Sequence, residues 1–523
     1  MQFYKLLIDG QDIDTGDYEY FPYADAAILD YEKVSNTIRK FKAGIVEEAT
    51  QKIIYAKYCV GDSTVNENAI ASASEAFKQF QKFSTAKRFK MLSDMRKILI
   101  EKEKDLLELL IIEGHPAKLA EWEISGMKEG LASETLDFYK LQSRKEIGVI
   151  ENERIYWARR PDGVVCLEPP RNAPCSNSFT AILTFIPGNS LIVKPPLRNP
   201  IATLFLWRHI VYPALMEHGA PKGILNIVLG NSKALLDQWL ESPEVKDIIY
   251  FGDSERGLRI GKEIFQKGKK PILELSGNDF LVVWKDADLE QAASSLSDAF
   301  IGSTQICMVP KTALIHEDVY DDFLAVMKQN MSSIKAGLPS HPETCLSPVT
   351  RVADYRTYVE DALLKGGEIV FGGRRLNHFH EMDPKGLFIE PTLVKITCFE
   401  KAKTMKCVNE ETFFPLLPLV SVGSSGNETH LSKDEVIFDH MIEMINRNQY
   451  GLRFSLWIRS PRYLRKFAKY VNNAGLFRIN SRHIGFSAFL GTHGGPNRSG
   501  GPFGEMNYIW QKTSHLQGIS VQK

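Results

Sequence analysis

Short apolar runs and amphipathic stretches alternate along most of this chain, and the period of each predicts the element it forms. From Ala69 to Leu141 the period is helical. Ala76, Phe77 and Phe80 share a face, and Ile98, Leu106 and Leu110 recur at helical spacing. Gly114-His115-Pro116 breaks the run, because a glycine and a proline this close interrupt helical geometry. Lys145 to Arg160 reads as two strands around Glu151-Asn152, with Ile147, Val149 and Ile150 before the turn and Ile155, Tyr156 and Trp157 after it. From Gly163 onward, strands are predicted at Val164–Leu167, Leu191–Val193, Leu225–Val228 and Ile248–Phe251, with helices at 200–217, 232–241 and 255–267. That alternation predicts a doubly wound parallel sheet. A second αβ series runs from Phe280 to about Phe477. It holds strands Phe280–Trp284, Leu417–Val422 and Phe454–Ile458 and helices around 287–300, 319–334 and 434–447. Before Asn66 the pattern gives a short hairpin and then a polar stretch with little periodicity. Gly423–Asn427 reads as a surface loop, and a glycine-rich tail from Gly491 to Gly504 precedes a strand-like His515–Val521.

Composition narrows the class. With 523 residues, 44% hydrophobic and 24% charged, the chain reads as a soluble globular protein of two or three domains. A formal net charge of zero gives no electrostatic footprint for nucleic acid or an acidic membrane. No apolar run approaches a membrane span, and Met1–Leu7 lacks the long apolar core of a secretory signal. The cysteines are Cys59, Cys166, Cys175, Cys307, Cys345, Cys398 and Cys407. Their odd number, scattered spacing and lack of a CxxC argue against a disulfide framework and against a structural metal, and predict a cytoplasmic, reducing setting.

Two positions suggest chemistry. Cys307 follows a helix-like stretch in Phe300-Ile301-Gly302-Ser303-Thr304-Gln305-Ile306-Cys307, and Glu274 ends the strand-like run in Pro271-Ile272-Leu273-Glu274-Leu275-Ser276-Gly277. A thiol and a carboxylate at the ends of regular elements suggest a nucleophile and its proton acceptor. A free thiol is also commonly a buried core residue, so this pair alone leaves both readings open.

The two segments carry a resemblance. Phe-x-Gly-x-Thr-Gln-x-Cys is similar to the Phe-x-Asn-x-Gly-Gln-x-Cys of the NAD(P)-dependent aldehyde dehydrogenase superfamily, with Gly302 and Thr304 as departures. Leu-Glu-Leu-Ser-Gly is similar to its Leu-Glu-Leu-Gly-Gly, with Ser276 in place of a glycine. The resemblance runs from about residue 67 to the end. It implies that Cys307 adds to an aldehyde, loses hydride to a nicotinamide as a thiohemiacetal, and holds the product as a thioester that Glu274 hydrolyses. It implies an oxyanion hole from the Asn172 amide and the Cys307 N–H, although Arg171 and Ala173 replace two aromatics. Lys194 would meet the adenosine ribose or a 2′-phosphate. Leu197 stands where NAD-preferring relatives often carry glutamate, and Arg198 follows it, which favours NADP slightly over NAD. Gly252, Asp253, Ser254 and Gly257 resemble the turn that meets pyrophosphate, with Asp253 where a small residue is usual and Arg256 near enough to compensate. Glu411 would hold the nicotinamide ribose and Phe413 would flank the nicotinamide.

The same resemblance places Ala173, Asn177, Thr180, Ile306, Met308 and the Arg482–Phe486 stretch along the aldehyde tunnel. The polar residues Asn177, Thr180, Arg482 and His483 then predict a polar or anionic aldehyde. The implied fold is α/β: a Rossmann-like doubly wound cofactor domain (1–144 and 161–276) and an α/β catalytic domain (277–477). The hairpin 145–160 joins the C-terminal strand of 478–523 in a small oligomerisation sheet. The implied partners are a small-molecule aldehyde and a second copy of the chain, as homodimer or homotetramer, with no nucleic acid and no membrane. Two alternatives stand beside oxidation to the acid. One is a coenzyme A-acylating or reductive relative, and the other is a catalytically silent binding member.

Overall fold

The computed structural model describes residues 1–45, 52–424, 432–486, 489–491, 493–505 and 507–522. Its cofactor-side sheet has seven strands, in the order Lys270–Glu274, Val245–Phe251, Val164–Glu168, Ser190–Val193, Leu225–Ile227, Leu6–Ile8 and Gln11–Ile13. The first five run parallel. Strands buried on both faces read as unbroken apolar runs, which is why Ser190–Val193 shows no alternation. The chain builds outward from Val164–Glu168 in one direction and then returns to its other side at Val245–Phe251. The reversal opens a crevice at the carboxyl ends of these two strands, where open α/β sheets bind ligands.

The N-terminal segment opens with the expected short hairpin and departs from the expected polar stretch after it. Leu6–Ile8 and Gln11–Ile13 extend the cofactor sheet in antiparallel fashion. Gln2–Tyr4, Ile54–Cys59 and Tyr18–Pro22 make a separate three-stranded sheet, and the helix Tyr31–Lys42 buries Val34, Thr37 and Phe41. The strands here are only three to six residues long, too short for a period to stand out.

The second sheet also has seven strands, in the order Glu368–Phe371, Thr392–Ile396, Leu416–Val422, Pro310–His316, Asp279–Val283, Arg453–Trp457 and Leu476–Ile479. All pairs are parallel except the outermost, Glu368–Phe371 with Thr392–Ile396. Alternate residues serve opposite faces. Phe280 and Val282 pack with Ile437, Phe438 and Phe467, whereas Leu281 and Val283 pack with Leu296, Phe323 and Met327. Of the Gly423–Asn427 loop, Ser425–Asn427 lie outside the described residues.

The hairpin Arg144–Ile150 and Glu153–Pro161 turns through Glu151 and Asn152, both left-handed at φ 49° and 68°, the geometry of a tight two-residue turn. Ser514–Gln522 pairs antiparallel along the whole of Glu153–Pro161. Ile147, Val149, Ile150, Trp157 and Leu516 are left exposed on this small sheet. Among the described residues, no helix is long and apolar enough to cross a membrane.

Candidate active site

The helix Leu289–Ser297 gives way to a turn in which Gly302, Ser303 and Thr304 all adopt left-handed φ, at 63°, 59° and 62°. Each non-glycine residue there costs roughly 1–2 kcal/mol, so the surroundings must hold it. Gly302 N–H donates to the Cys345 carbonyl at 2.9 Å, Ser303 Oγ to the Ser347 carbonyl at 2.6 Å, and Gln305 Nε2 to the Pro348 carbonyl at 3.0 Å. The turn delivers Cys307 to the wall of a cleft of about 740 Å³, where it is partly exposed. Gly277 allows the close approach of the neighbouring segment, because a Cβ there would lie 2.4 Å from the Cys307 carbonyl oxygen. Burial pushes the Cys307 thiol up to about 12, helped by Glu411, Asp279 and Glu274 and opposed by Lys311.

Glu274 ends its strand where that cleft meets a second, narrower cavity. One carboxylate oxygen accepts from Asn507 Nδ2 at 2.9 Å and the other from the Gly494 N–H at 2.8 Å. Burial still pushes its pKa up to about 8. Asn172 lines the same cleft as Cys307, and its side-chain amide donates to the Gln305 carbonyl at 2.9 Å, which fixes it against the turn that carries Cys307.

The cleft extends from Cys307 to the crevice of the cofactor sheet. Lys194 follows the strand Ser190–Val193. Its ammonium contacts Glu168 at 2.9 Å and Ser232 Oγ at 2.6 Å. Leu197 and Arg198 border the same end, and Tyr58 Oη donates to the Leu197 carbonyl at 2.6 Å. Arg171, Arg198 and Arg256 all reach this cleft; burial, and then the Arg198 charge, hold the Arg171 guanidinium below its ordinary range. Closely placed like charges of this kind favour a polyanion.

Asp253 caps the helix Ser254–Gln266, its carboxylate accepting from the Arg256 N–H at 2.9 Å. Such a cap stabilises a helix by about 1 kcal/mol and uses one of the free N–H groups a pyrophosphate would otherwise meet. Ser254 and Gly257 stand apart from the cleft wall. Ser254 Oγ donates to the Arg498 carbonyl at 2.6 Å, and a Cβ on Gly257 would lie 2.2 Å from Leu275. Both positions therefore serve packing of this helix, a correction to their reading as cofactor contacts. Gly252 and Asp253 do line the cleft.

At the Cys307 end, Glu411 accepts from the Gly277 N–H at 3.1 Å and from the Ser276 side chain, while burial raises its pKa. The serine that departs from the expected glycine thus holds a carboxylate of the site. Phe413 lies on the same wall, 5.5 Å from the Lys311 ammonium.

The narrower cavity leads from Glu274 past Asn177, Thr180 and Met308, between Trp122, Tyr139, Phe179, Phe486 and Tyr508. Its walls are mainly apolar, with these aromatic rings set among aliphatic side chains such as Ile182, Leu183 and Leu490. Four residues expected here are elsewhere. Arg482 pairs with Asp298 at 3.0 Å, away from this cavity. His483 is fully buried, bound to Ser455 Oγ at 2.7 Å and Asp279 at 3.2 Å. Ile306 packs with Leu119, Leu452 and Ile484. Ala173 is likewise buried away from the cavity wall. His493, which sequence reasoning missed, does line the cavity. It contacts Asn177 Oδ1 at 2.8 Å, and burial pushes its pKa down to about 3, so it is neutral. It sits in a glycine-rich tail with no period to draw attention to it.

The Aldehyde dehydrogenase family model matches residues 39–518. D-glyceraldehyde dehydrogenase (NADP(+)) from Picrophilus torridus is 29% identical over 439 residues, 80% of this chain and 82% of that one. 3,6-anhydro-alpha-L-galactose dehydrogenase from Vibrio sp. is 26% identical across 99% of both chains. Among solved structures, an E. coli NADP dependent enzyme superposes with a TM-score of 0.80 at 22% identity, covering 99% of this chain and 98% of that one, which shows the shared fold. The chain therefore belongs to the aldehyde dehydrogenase family, and it is an NAD(P)-dependent oxidoreductase acting on the aldehyde group.

Proposed function

We propose that the chain oxidises an uncharged aldehyde to its carboxylic acid through Cys307 and Glu274, with NADP preferred to NAD. One observation carries this reading: Cys307, Asn172, Glu274 and Glu411 open onto one cleft, and Glu274 also opens onto the aromatic cavity. The cleft fits a nicotinamide dinucleotide. Lys194, with Arg198 beside it, would hold the adenosine ribose; Glu411 would hold the nicotinamide ribose; Phe413 would lie against the ring. Bound there, the oxidised nicotinamide supplies a hydride acceptor. An aldehyde reaching Cys307 from the aromatic cavity is attacked by sulfur. The thiol proton leaves to a base and the carbonyl oxygen is protonated, giving a thiohemiacetal. The Asn172 amide and the Cys307 N–H orient that oxygen. Loss of hydride from carbon and of the hydroxyl proton leaves a thioester. Glu274, once ionised, takes a proton from water, which adds to the thioester carbonyl and expels Cys307 as the acid forms.

Glu274 at the junction supports hydrolysis over transfer to coenzyme A. Two departures from the family pattern have structural uses, which weighs against a silent member: Ser276 binds Glu411, and Asp253 caps a helix. NADP is supported by Leu197 in place of a carboxylate and by the arginines beside it. With Arg482 and His483 outside the cavity, no described wall residue supplies a fixed positive charge, so the anionic aldehyde is set aside and an uncharged one retained.

An aldehyde panel run with both nicotinamides tests this. Uncharged aldehydes should exceed ω-carboxylate aldehydes in kcat/KM by about tenfold or more, and NADP should exceed NAD. Arg198→Ala should remove most of the NADP preference, as loss of a hydrogen bond to a charged group costs about 1.5–3 kcal/mol. Best turnover on a carboxylate-bearing aldehyde would refute the substrate reading.

The exposed Ile147, Val149, Ile150, Trp157 and Leu516 support self-association through the small sheet. Sedimentation should show a dimer or tetramer that Trp157→Glu weakens; a monomer at micromolar concentration would contradict it. Seven unpaired cysteines support a reducing, cytoplasmic setting.

A further inference from the structure

We propose that Lys311 is a positioning residue that clamps the nucleophile loop to the nicotinamide-ribose loop and sets a positive charge beneath Cys307. The inference rests on Cys307 being the nucleophile. Lys311 lies on the strand Pro310–His316 and is fully buried. Its ammonium donates to three backbone carbonyls: Thr304 at 2.9 Å, Ile306 at 2.8 Å and Thr412 at 2.8 Å. Three donors meet three acceptors, so the group is fully satisfied. It makes no salt bridge among the described residues, so its charge is not cancelled by direct contact.

The three carbonyls are not equivalent. Thr304 is the last of the left-handed residues, and Ile306 precedes Cys307, so two bonds hold the strained turn that presents the sulfur. Thr412 stands between Glu411 and Phe413, so the third bond fixes the loop that faces the nicotinamide half of the cleft. One side chain thus sets the spacing between the two reacting partners. A neutral residue of similar length could fill the space without joining three carbonyls.

The charges around Cys307 are Glu411, Asp279 and Glu274 on the acidic side and Lys311 and Arg453 on the basic side. Asp279 is already engaged by His483, whose pKa burial lowers, and by the Arg453 backbone N–H at 3.0 Å. Lys311 opposes the upward push on the thiol. Its removal leaves Glu411 and Glu274 facing the sulfur with less compensation, and the thiolate becomes harder to form.

The test uses the full chain and two variants, Lys311→Met, which lacks donors and charge, and Lys311→Gln, which keeps two N–H donors without charge. Alkylation of Cys307 by iodoacetamide is followed across pH by mass on its peptide. NADP and 2′,5′-ADP are titrated by tryptophan fluorescence, and folding is checked by circular dichroism. In Lys311→Met, alkylation should be about tenfold slower at a given pH, the equivalent of one pH unit in thiolate. NADP binding should weaken several-fold while 2′,5′-ADP binding holds, because the clamp acts on the nicotinamide half. Lys311→Gln should show the slower alkylation with a smaller loss of NADP affinity. An unshifted alkylation profile in a folded variant would overturn the proposal, and so would equal loss of NADP and 2′,5′-ADP. Failure of both variants to fold would also overturn it, leaving Lys311 as a determinant of folding alone. If Cys307 of the parent resists alkylation at every pH, the proposed function fails, whatever the variants do.

Discussion

Cys307→Ala lowers kcat for aldehyde oxidation by more than about 10⁴-fold, the scale of loss when a covalent nucleophile is removed. NADP affinity should stay within a few-fold of the parent, because the adenosine end of the cleft lies on a different sheet from the cysteine. The structure gives the reason for both halves. Cys307 follows a left-handed turn in which Gly302, Ser303 and the neighbouring Gln305 are pinned to the Cys345, Ser347 and Pro348 carbonyls, and the deleted sulfur bears none of those bonds. Lys194, Leu197 and Arg198 lie at the far end of the cleft, around the ends of the cofactor strands. Residual turnover above about one part in a hundred would mean that another group attacks the aldehyde.

Glu274→Gln should stop the reaction halfway. Hydride transfer gives a burst of one reduced nicotinamide per site, and the steady rate then falls by about 10²–10⁴-fold, the usual contribution of a general base. The parent should show the matching pH dependence. Burial pushes Glu274 up to about 8, so most of the resting enzyme at pH 7 carries the neutral acid, which cannot take a proton from water. Hydrolysis therefore rises as pH increases through about 8 and levels off above it. The sign follows from the working form being the carboxylate; a general acid with the same pKa would give the opposite slope. The Asn507 amide and Gly494 N–H each stabilise the carboxylate, so Asn507→Ala should move the midpoint further upward. A flat hydrolysis profile, unchanged by Glu274→Gln, would remove this residue from the step.

Much of the fold was legible in the pattern of apolar residues. The helix predicted over 232–241 matches Ser232–Glu241, and the strands at Val164, Leu191 and Leu225 begin within one residue of the observed elements. Strands covered on both faces leave apolar blocks that need no knowledge of tertiary structure. The N-terminal sheet escaped because its strands are only three to six residues long, too short to show a period. The site was partly legible for a different reason. Glu274 ends a strand, and Asn172, Cys307 and Glu411 lie in the short connections between elements, where a motif is read without a period. Ser254, Gly257, Arg482 and His483 matched by position, yet Ser254 Oγ donates to the Arg498 carbonyl, Gly257 lies close against Leu275, Arg482 pairs with Asp298 and His483 meets Asp279. His493 and Lys311 had no local signal, because each acts through groups more than a hundred residues away: Asn177 for one and Thr412 for the other.

The central claim is that Cys307 carries the acyl group between oxidation and hydrolysis. The most direct measurement is the mass of the Cys307 peptide from Glu274→Gln enzyme quenched after mixing with NADP and an uncharged aldehyde. The account predicts one added acyl group on that peptide, absent when NADP is withheld and absent in the Cys307→Ala, Glu274→Gln double variant. Reduced nicotinamide formed with no acyl group on Cys307, or an acyl group on any other residue, would contradict it.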